Sequence, residues 1–140
     1  MKVSDFMTKQ VVTVDPAESV QVAARILTHY NIGALPVCGE DGNLQGIITD
    51  RDIVIRCLAT CQDPTKTKVG QIMTRGATAV KPTLEASVAT HLMGKKQIRR
   101  LPVMEDGKLC GIVSLGDFAK LEDSCPDAAD ALADISHNVR

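Results

Sequence analysis

Apolar residues along this chain recur in two rhythms, one helical and one strand-like. Val20, Ala23, Ala24 and Leu27 stand at helical spacing, as do Ala86, Ala89 and Met93, which predicts one helix with a single apolar stripe in each half of the chain. Leu35–Cys38 and Leu44–Thr49 are short β-prone runs. They are joined by Gly39-Glu40-Asp41-Gly42-Asn43, whose composition predicts a hairpin turn. A further short strand is expected around Val11–Val14. Asp15-Pro16-Ala17-Glu18 after it reads as a helix start, with proline early and an acid in the first turn. Asn31 and the Gly33 region close that helix, and a second helix runs from about Asp50 to Leu58.

The same pattern returns later in the chain. Val3-Ser4-Asp5-Phe6-Met7-Thr8 reappears as Val69-Gly70-Gln71-Ile72-Met73-Thr74, an offset of 66 residues. Val14-Asp15-Pro16 meets Val80-Lys81-Pro82, and Ile32–Val37 meets Ile98–Val103, at that same offset. One residue is lost in a turn, after which Gly46–Asp52 pairs with Gly111–Asp117. Ordered matches across a whole unit indicate duplication. The expected architecture is α+β: two βαββα repeats packed about a pseudo-twofold axis, with small mixed sheets and helices on one face, because one copy alone leaves a sheet face bare. The first repeat is assigned to residues 1–60, a linker to 61–68, the second repeat to 69–122, and a tail to 123–140. In that tail Ser124-Cys125-Pro126 reads as a helix start with Ala128, Ala131, Leu132 and Ile135 on one side.

Composition narrows the function classes. With 16 Lys+Arg against 17 Asp+Glu the formal net charge is −1, so no long-range field draws the chain to nucleic acid or an anionic membrane. Two Phe, one Tyr and no Trp argue against stacking platforms for single strands or sugars. No apolar run reaches membrane-spanning length and the N-terminus lacks the apolar core of a signal peptide. Five cysteines at irregular spacing do not form a disulfide framework, and a cytoplasmic location is expected.

The junction Gly46-Ile47-Ile48-Thr49-Asp50-Arg51-Asp52, with its second-copy match, carries the most chemistry. A hydroxyl ends the strand and an acid follows three residues on. One reading is a capping box, in which Thr49 and Ser114 accept from backbone N–H groups while Asp52 and Asp117 favour the positive helix end. The other uses free N–H groups and the hydroxyl as an anion cradle, with the acid accepting two hydrogen bonds from a vicinal diol such as ribose.

Taken with the flanking motifs, the chain resembles a stand-alone pair of cystathionine-β-synthase (CBS) domains, the arrangement called a Bateman module. The resemblance rests on Val3–Thr8, Val14-Asp15-Pro16, Leu35-Pro36-Val37, Gly46–Asp52 and their counterparts, and it spans Val3 to Glu122. It implies a regulatory sensor of AMP, ADP, ATP or another adenosyl ligand, with no enzymatic activity, no catalytic residues, no metal and no catalytic cofactor. It also implies a homodimer formed through the helices after Thr49 and Ser114, signalling to a regulated protein. By the resemblance Thr49 and Asp52 make one half-site and Ser114 and Asp117 the other, with Val14 and Val80 as apolar walls for the base. Arg99 and Arg100 would face the Thr49/Asp52 cleft, where Arg51 adds a third cation. The second copy has Gly116 in place of Arg51, and Gly33 and Ala34 stand where Arg99 and Arg100 do, so the first cleft is expected to bind better.

Three rivals follow from the residues. The chain could be a ligand-free structural or partner-binding module. It could bind nucleic acid through Lys95, Lys96, Arg99 and Arg100, against which the neutral total weighs. Or Cys57 and Cys61, four apart, could answer to metal or redox state with His29 or Cys38; buried thiols are the simpler explanation. His29, His91 and His137 have no obvious acid or nucleophile partner, and Met7 and Met73 read as core residues.

Overall fold

In the computed structural model residues 1–119 are described; the tail expectations, including the helix from Ser124-Cys125-Pro126 and His137, lie outside them. The chain divides into two compact units, Val12–Ala77 and a second made of Met1–Val11 with the residues from Thr78 onward. This division differs from the sequence repeat. The leading segment of each sequence copy belongs to the unit that holds the body of the other copy.

Within Val12–Ala77 the first helix, α1, is Val20–Tyr30. It begins later than Asp15-Pro16 suggests. Asp15 spends its carboxylate on the Ala17 N–H at 2.8 Å, making a local turn. The cap is instead Ser19, whose hydroxyl accepts from Val22 N–H at 3.2 Å. Val20, Ala23 and Leu27 are buried, so the expected stripe faces the core. The helix ends at Asn31, as expected, in the left-handed region at φ 52°, where asparagine is tolerated better than most residues. Ile32 N–H then bonds back to the Leu27 carbonyl at 3.0 Å.

β1 (Ala34–Cys38) and β2 (Leu44–Thr49) form the expected antiparallel hairpin, from Ala34 opposite Thr49 to Cys38 opposite Leu44, with a bulge at Val37/Cys38. The strand expected over Val11–Val14 reduces to one parallel bridge, Val14 to Val37. Its N–H bonds Pro36 O at 3.1 Å and its carbonyl takes Cys38 N–H at 3.0 Å. The ladder stops there because Asp15 turns the chain and Pro16 has no N–H.

The second helix begins with a single α-turn, α2 (Asp50–Asp52), and continues over Ile53–Leu58 with wider π-type winding. Its N–H groups reach back five residues, Ala59 to Val54 O at 2.8 Å. Ile53 and Cys57 are buried, while Val54, Ile55 and Leu58 are 55%, 47% and 54% exposed.

The stretch read as a linker is built into this unit. The carbonyls of Pro64 and Thr67 accept from Gln21 and Val20 N–H at 3.0 and 2.8 Å, serving the open first turn of α1. Thr67 is buried. Val69 and Gly70 then donate to Glu18 O and Pro16 O at 2.8 and 2.9 Å. α3 (Val69–Ile72) follows, and β3 (Thr74–Arg75), absent from the sequence reading, adds antiparallel to β2.

The other unit repeats the scheme. α4 is Ala86–Lys96, β4 is Arg100–Glu105, β5 is Lys108–Ser114 and α5 is Leu115–Ala119. β4 and β5 are antiparallel, closed by Asp106 and Gly107, both at positive φ, the two-residue turn that matches strand twist. Val80 bridges Val103 in parallel. The sheets are therefore antiparallel, and among the described residues parallel pairing enters only through single bridges. Val3 and Ser4 donate to Leu84 O and Pro82 O at 2.8 and 3.0 Å, and Ala86 donates to Met1 O at 2.8 Å. These equal the bonds of Val69, Gly70 and Val20, residue for residue. Phe6 packs its ring on Phe118 at 4.9 Å, and Met7 is partly buried against the same core.

The docked segments explain two glycines. Thr8 exchanges backbone bonds with Ile112 at 2.8 and 3.0 Å, passing so close that a Cβ on Gly111 would lie 2.7 Å from Met7 Sδ and 3.0 Å from Thr8 O. A Cβ on Gly46 would collide with the Thr74 carbonyl. Gly46→Ala and Gly111→Ala are each expected to cost about 1–3 kcal/mol through forced backbone shifts. Thermal unfolding of the two variants checks this, with Gly116→Ala, whose Cβ among the described residues meets Ser114 Oγ at 3.7 Å, expected to leave stability unchanged or slightly raised.

Candidate functional site

Both strand-to-helix junctions form the capping box. Thr49 Oγ1 accepts from Asp52 N–H at 3.0 Å, and Asp52 Oδ2 accepts from Thr49 N–H at 3.1 Å. In the other unit Ser114 Oγ accepts from Asp117 N–H at 3.2 Å, and Asp117 Oδ2 accepts from Ser114 N–H at 2.8 Å. Each box satisfies two otherwise open donors, worth about 1 kcal/mol for the hydroxyl alone.

The cradle of free N–H groups is not present at the first junction. Asp50 N–H bonds Gly33 O at 3.1 Å and Arg51 N–H bonds its neighbour's Asp50 Oδ1 at 2.8 Å, so Thr49 to Asp52 all have intramolecular acceptors. The groups left there that could meet an anion are side chains: the Thr49 hydroxyl proton and nearby cations. At the first junction the alternative of capping box or anion cradle thus resolves in favour of the box, while the carboxylate keeps lone pairs beyond the one that Thr49 N–H fills.

The carboxylates differ in setting. Asp52 is 8% exposed and meets two further partners, the Thr74 hydroxyl at 3.4 Å and Arg56 Nε at 3.8 Å. Asp117 is half-buried. Thr49 and Ser114 are both half-buried, and Arg51 is exposed. Arg99 is exposed and Arg100 half-buried. Their backbone adjoins the second junction within one unit: Arg99 O accepts from Leu115 N–H at 2.8 Å, and Arg100 stands opposite Ser114 in the β4–β5 register. That neighbourhood was not anticipated, although the equivalent Gly33 O to Asp50 N–H bond follows from the same hairpin. Val14 and Val80, read as walls for a base, belong to the buried cores of their own units.

The cysteines do not share one environment. Cys57 is buried and donates to Gln62 O at 3.5 Å, whereas Cys61, expected to be buried with it, is exposed at φ 60° just past the helix. Burial, and then the Asp41 carboxylate, push the Cys38 thiol up from its ordinary value. Burial, and then Glu105, do the same for Cys110. Among the described residues no cluster of three His, Cys, Asp or Glu side chains is placed to hold a metal. His29, stacked edge-on against Tyr30, and His91 are exposed.

Comparison with known proteins bears on this geometry. The CBS domain family matches twice, over residues 3–58 and 69–124. The chain is 42% identical over 135 residues to the CBS domain-containing protein YhcV of Bacillus subtilis, covering 96% of this chain and 95% of that one. Among solved structures it is similar to Hypoxic Response Protein I with two coordinated zinc ions, at TM-score 0.80 and 35% identity, covering 86% of this chain and 98% of that chain. The CBS domain pair of protein MJ0100, in complex with 5′-methylthioadenosine and S-adenosyl-L-methionine, superposes at TM-score 0.78 and 33% identity, covering 86% and 98%. CBSX2 in complex with AMP does so at 0.76 and 29%, covering 88% and 96%. Two boxed Ser/Thr…Asp junctions on duplicated α+β units, matched over nearly the full length of such proteins, make the chain a member of the CBS-domain family, a tandem CBS pair.

Proposed function

We propose that this CBS pair is a regulatory sensor of an adenosyl ligand, AMP, ADP, ATP or a relative, acting in the cytoplasm and without catalysis of its own. The observation that carries the reading is the buried Asp52 carboxylate, fixed by Thr49 N–H at 3.1 Å at a helix start. A held carboxylate with spare lone pairs suits a vicinal diol. Similar pairs in complex with S-adenosyl-L-methionine, 5′-methylthioadenosine and AMP support the ligand class. Thr49, Arg51 and Asp52 form the principal half-site in this reading, Ser114 and Asp117 the second. Arg51, Arg99 and Arg100 are taken as phosphate partners, and Val14 and Val80 as apolar walls for the base.

A second reading is favoured by one observation: Arg99 and Arg100 adjoin Ser114 and Leu115 through their own backbone. On that reading the second junction holds the phosphate-bearing ligand. Titration calorimetry with AMP, ADP, ATP, S-adenosylmethionine and NADH separates them. Asp52→Ala is expected to weaken binding about tenfold or more, the worth of a hydrogen bond to a charged group, with Asp117→Ala much milder. The reverse order supports the second junction, and absence of binding at millimolar ligand overturns the sensor reading.

The exposed Val54, Ile55 and Leu58, on the helix that follows Thr49, support a homodimer through that helix. Signalling to a regulated protein would then follow from a ligand that binds two states of this assembly unequally. Light scattering is expected to give twice the 15.0 kDa chain mass, and Ile55→Glu is expected to give the monomer. A monomeric wild-type chain at micromolar concentration rules the dimer out.

A further inference from the structure

The Asp52 carboxylate is tied to a second segment of its own unit by two side chains outside the Thr…Asp motif. Arg56, one helical turn on, brings Nε to 3.8 Å from Asp52 Oδ1. Its Nη1 donates to the carbonyls of Ile72 and Met73 at 3.2 and 3.3 Å, at the end of α3. The Thr74 hydroxyl, next along the chain, donates toward the same carboxylate, 3.4 Å from each oxygen. Asp52, Arg56 and Thr74 thus close a ring between the junction helix and the α3–β3 segment.

The ring answers a requirement of the site. An Asp side chain turns broadly about its last torsion, yet a carboxylate that accepts from two neighbouring hydroxyls must offer both oxygens in one plane. Thr49 N–H holds Oδ2. Arg56 and Thr74 act on the rest of the group. Arg56 suits the task because one guanidinium fork can serve carbonyls and a carboxylate together, which an ammonium does with no fixed geometry. The second copy carries Leu121 at the position matching Arg56, so its Asp117 has no such arginine in the sequence.

Resting on the ligand reading above, we propose that Arg56 and Thr74 are positioning residues that orient Asp52 for a ribose diol, and so set the preference for ribo- over 2′-deoxyribonucleotides at the first junction. The test is calorimetry on the full chain with AMP and with 2′-deoxy-AMP. Wild type is expected to prefer AMP by about tenfold. Thr74→Val and Arg56→Gln are expected to bring the two ligands to within about threefold, mostly by weakening AMP, while Thr74→Ser keeps the wild-type preference. A purely structural role would lower Tm and move both ligands together. An unchanged ratio in both variants overturns the inference and leaves the sensor reading intact. Wild type that binds both ligands equally well also overturns it, and wild type that binds neither overturns both. Should Arg56→Gln fail to fold, Thr74→Val decides, since Thr74 is exposed.

Discussion

The described structure depends on how each leading segment docks. Three backbone bonds repeat in both units: Val3 to Leu84, Ser4 to Pro82 and Ala86 to Met1 in one, Val69 to Glu18, Gly70 to Pro16 and Val20 to Thr67 in the other. They join an incoming chain to the turn before a helix and fill a donor that the helix's first turn leaves open. The same docking lays Thr8 and Thr74 beside the middle of β5 and β2, extending short ladders that would otherwise be two-stranded hairpins, which are marginal alone. It also brings the apolar face of the segment, Val3 with Phe6 and Met7, or Val69 with Ile72 and Met73, into the core. Gly46 and Gly111 are the necessary counterpart of that approach, since any side chain would stand where the docked backbone runs.

Docking also places the chemistry. Thr74 and the carbonyls of Ile72 and Met73 reach the Asp52 region only because α3 and β3 belong to this unit. The capping box and the candidate ligand site use the same atoms, so stability and recognition are not separable by residue. Asp52 is held by the Thr49 N–H, which in the proposed ligand reading lowers the ordering cost of binding. All four N–H groups from Thr49 to Asp52 are bonded within the unit, so any anion proposed there would be met by side chains. The two junctions differ in the burial of their acids, Asp52 against Asp117, and in sequence at Arg51 and Arg56, which Gly116 and Leu121 match in the second copy.

Much of this was legible in the residues. The helices over 20–30 and 86–96, the hairpin over 34–49 and the Ser/Thr…Asp boxes follow from local spacing and local bonds, which the sequence displays directly. α1 starts later than Asp15-Pro16 suggests because Asp15 closes a local turn with Ala17 N–H, and only the bond from Val22 N–H marks Ser19 as the cap. Cys61 was misjudged because a spacing of four implies one helix face only while the helix continues, and here the backbone turns to φ 60° at that residue. The spacing of four from Asp52 to Arg56 is visible in the sequence, whereas its carbonyl partners, Ile72 and Met73, lie sixteen and seventeen residues away and leave no local mark.

The repeat itself, its α+β class, its family and the identity of both boxed junctions were determined by the chain's own pattern, because duplication and capping are written in nearby residues. Only the tertiary structure decided that each leading segment joins the body of the other sequence copy, that the presumed linker serves the first turn of α1, and that Arg56 and Thr74 close around Asp52. Both units make the same three backbone bonds to an incoming segment, so composition alone does not say which copy's segment each one takes. Which one is taken depends on the path of the chain, and that path leaves no mark in the periodicity of either repeat.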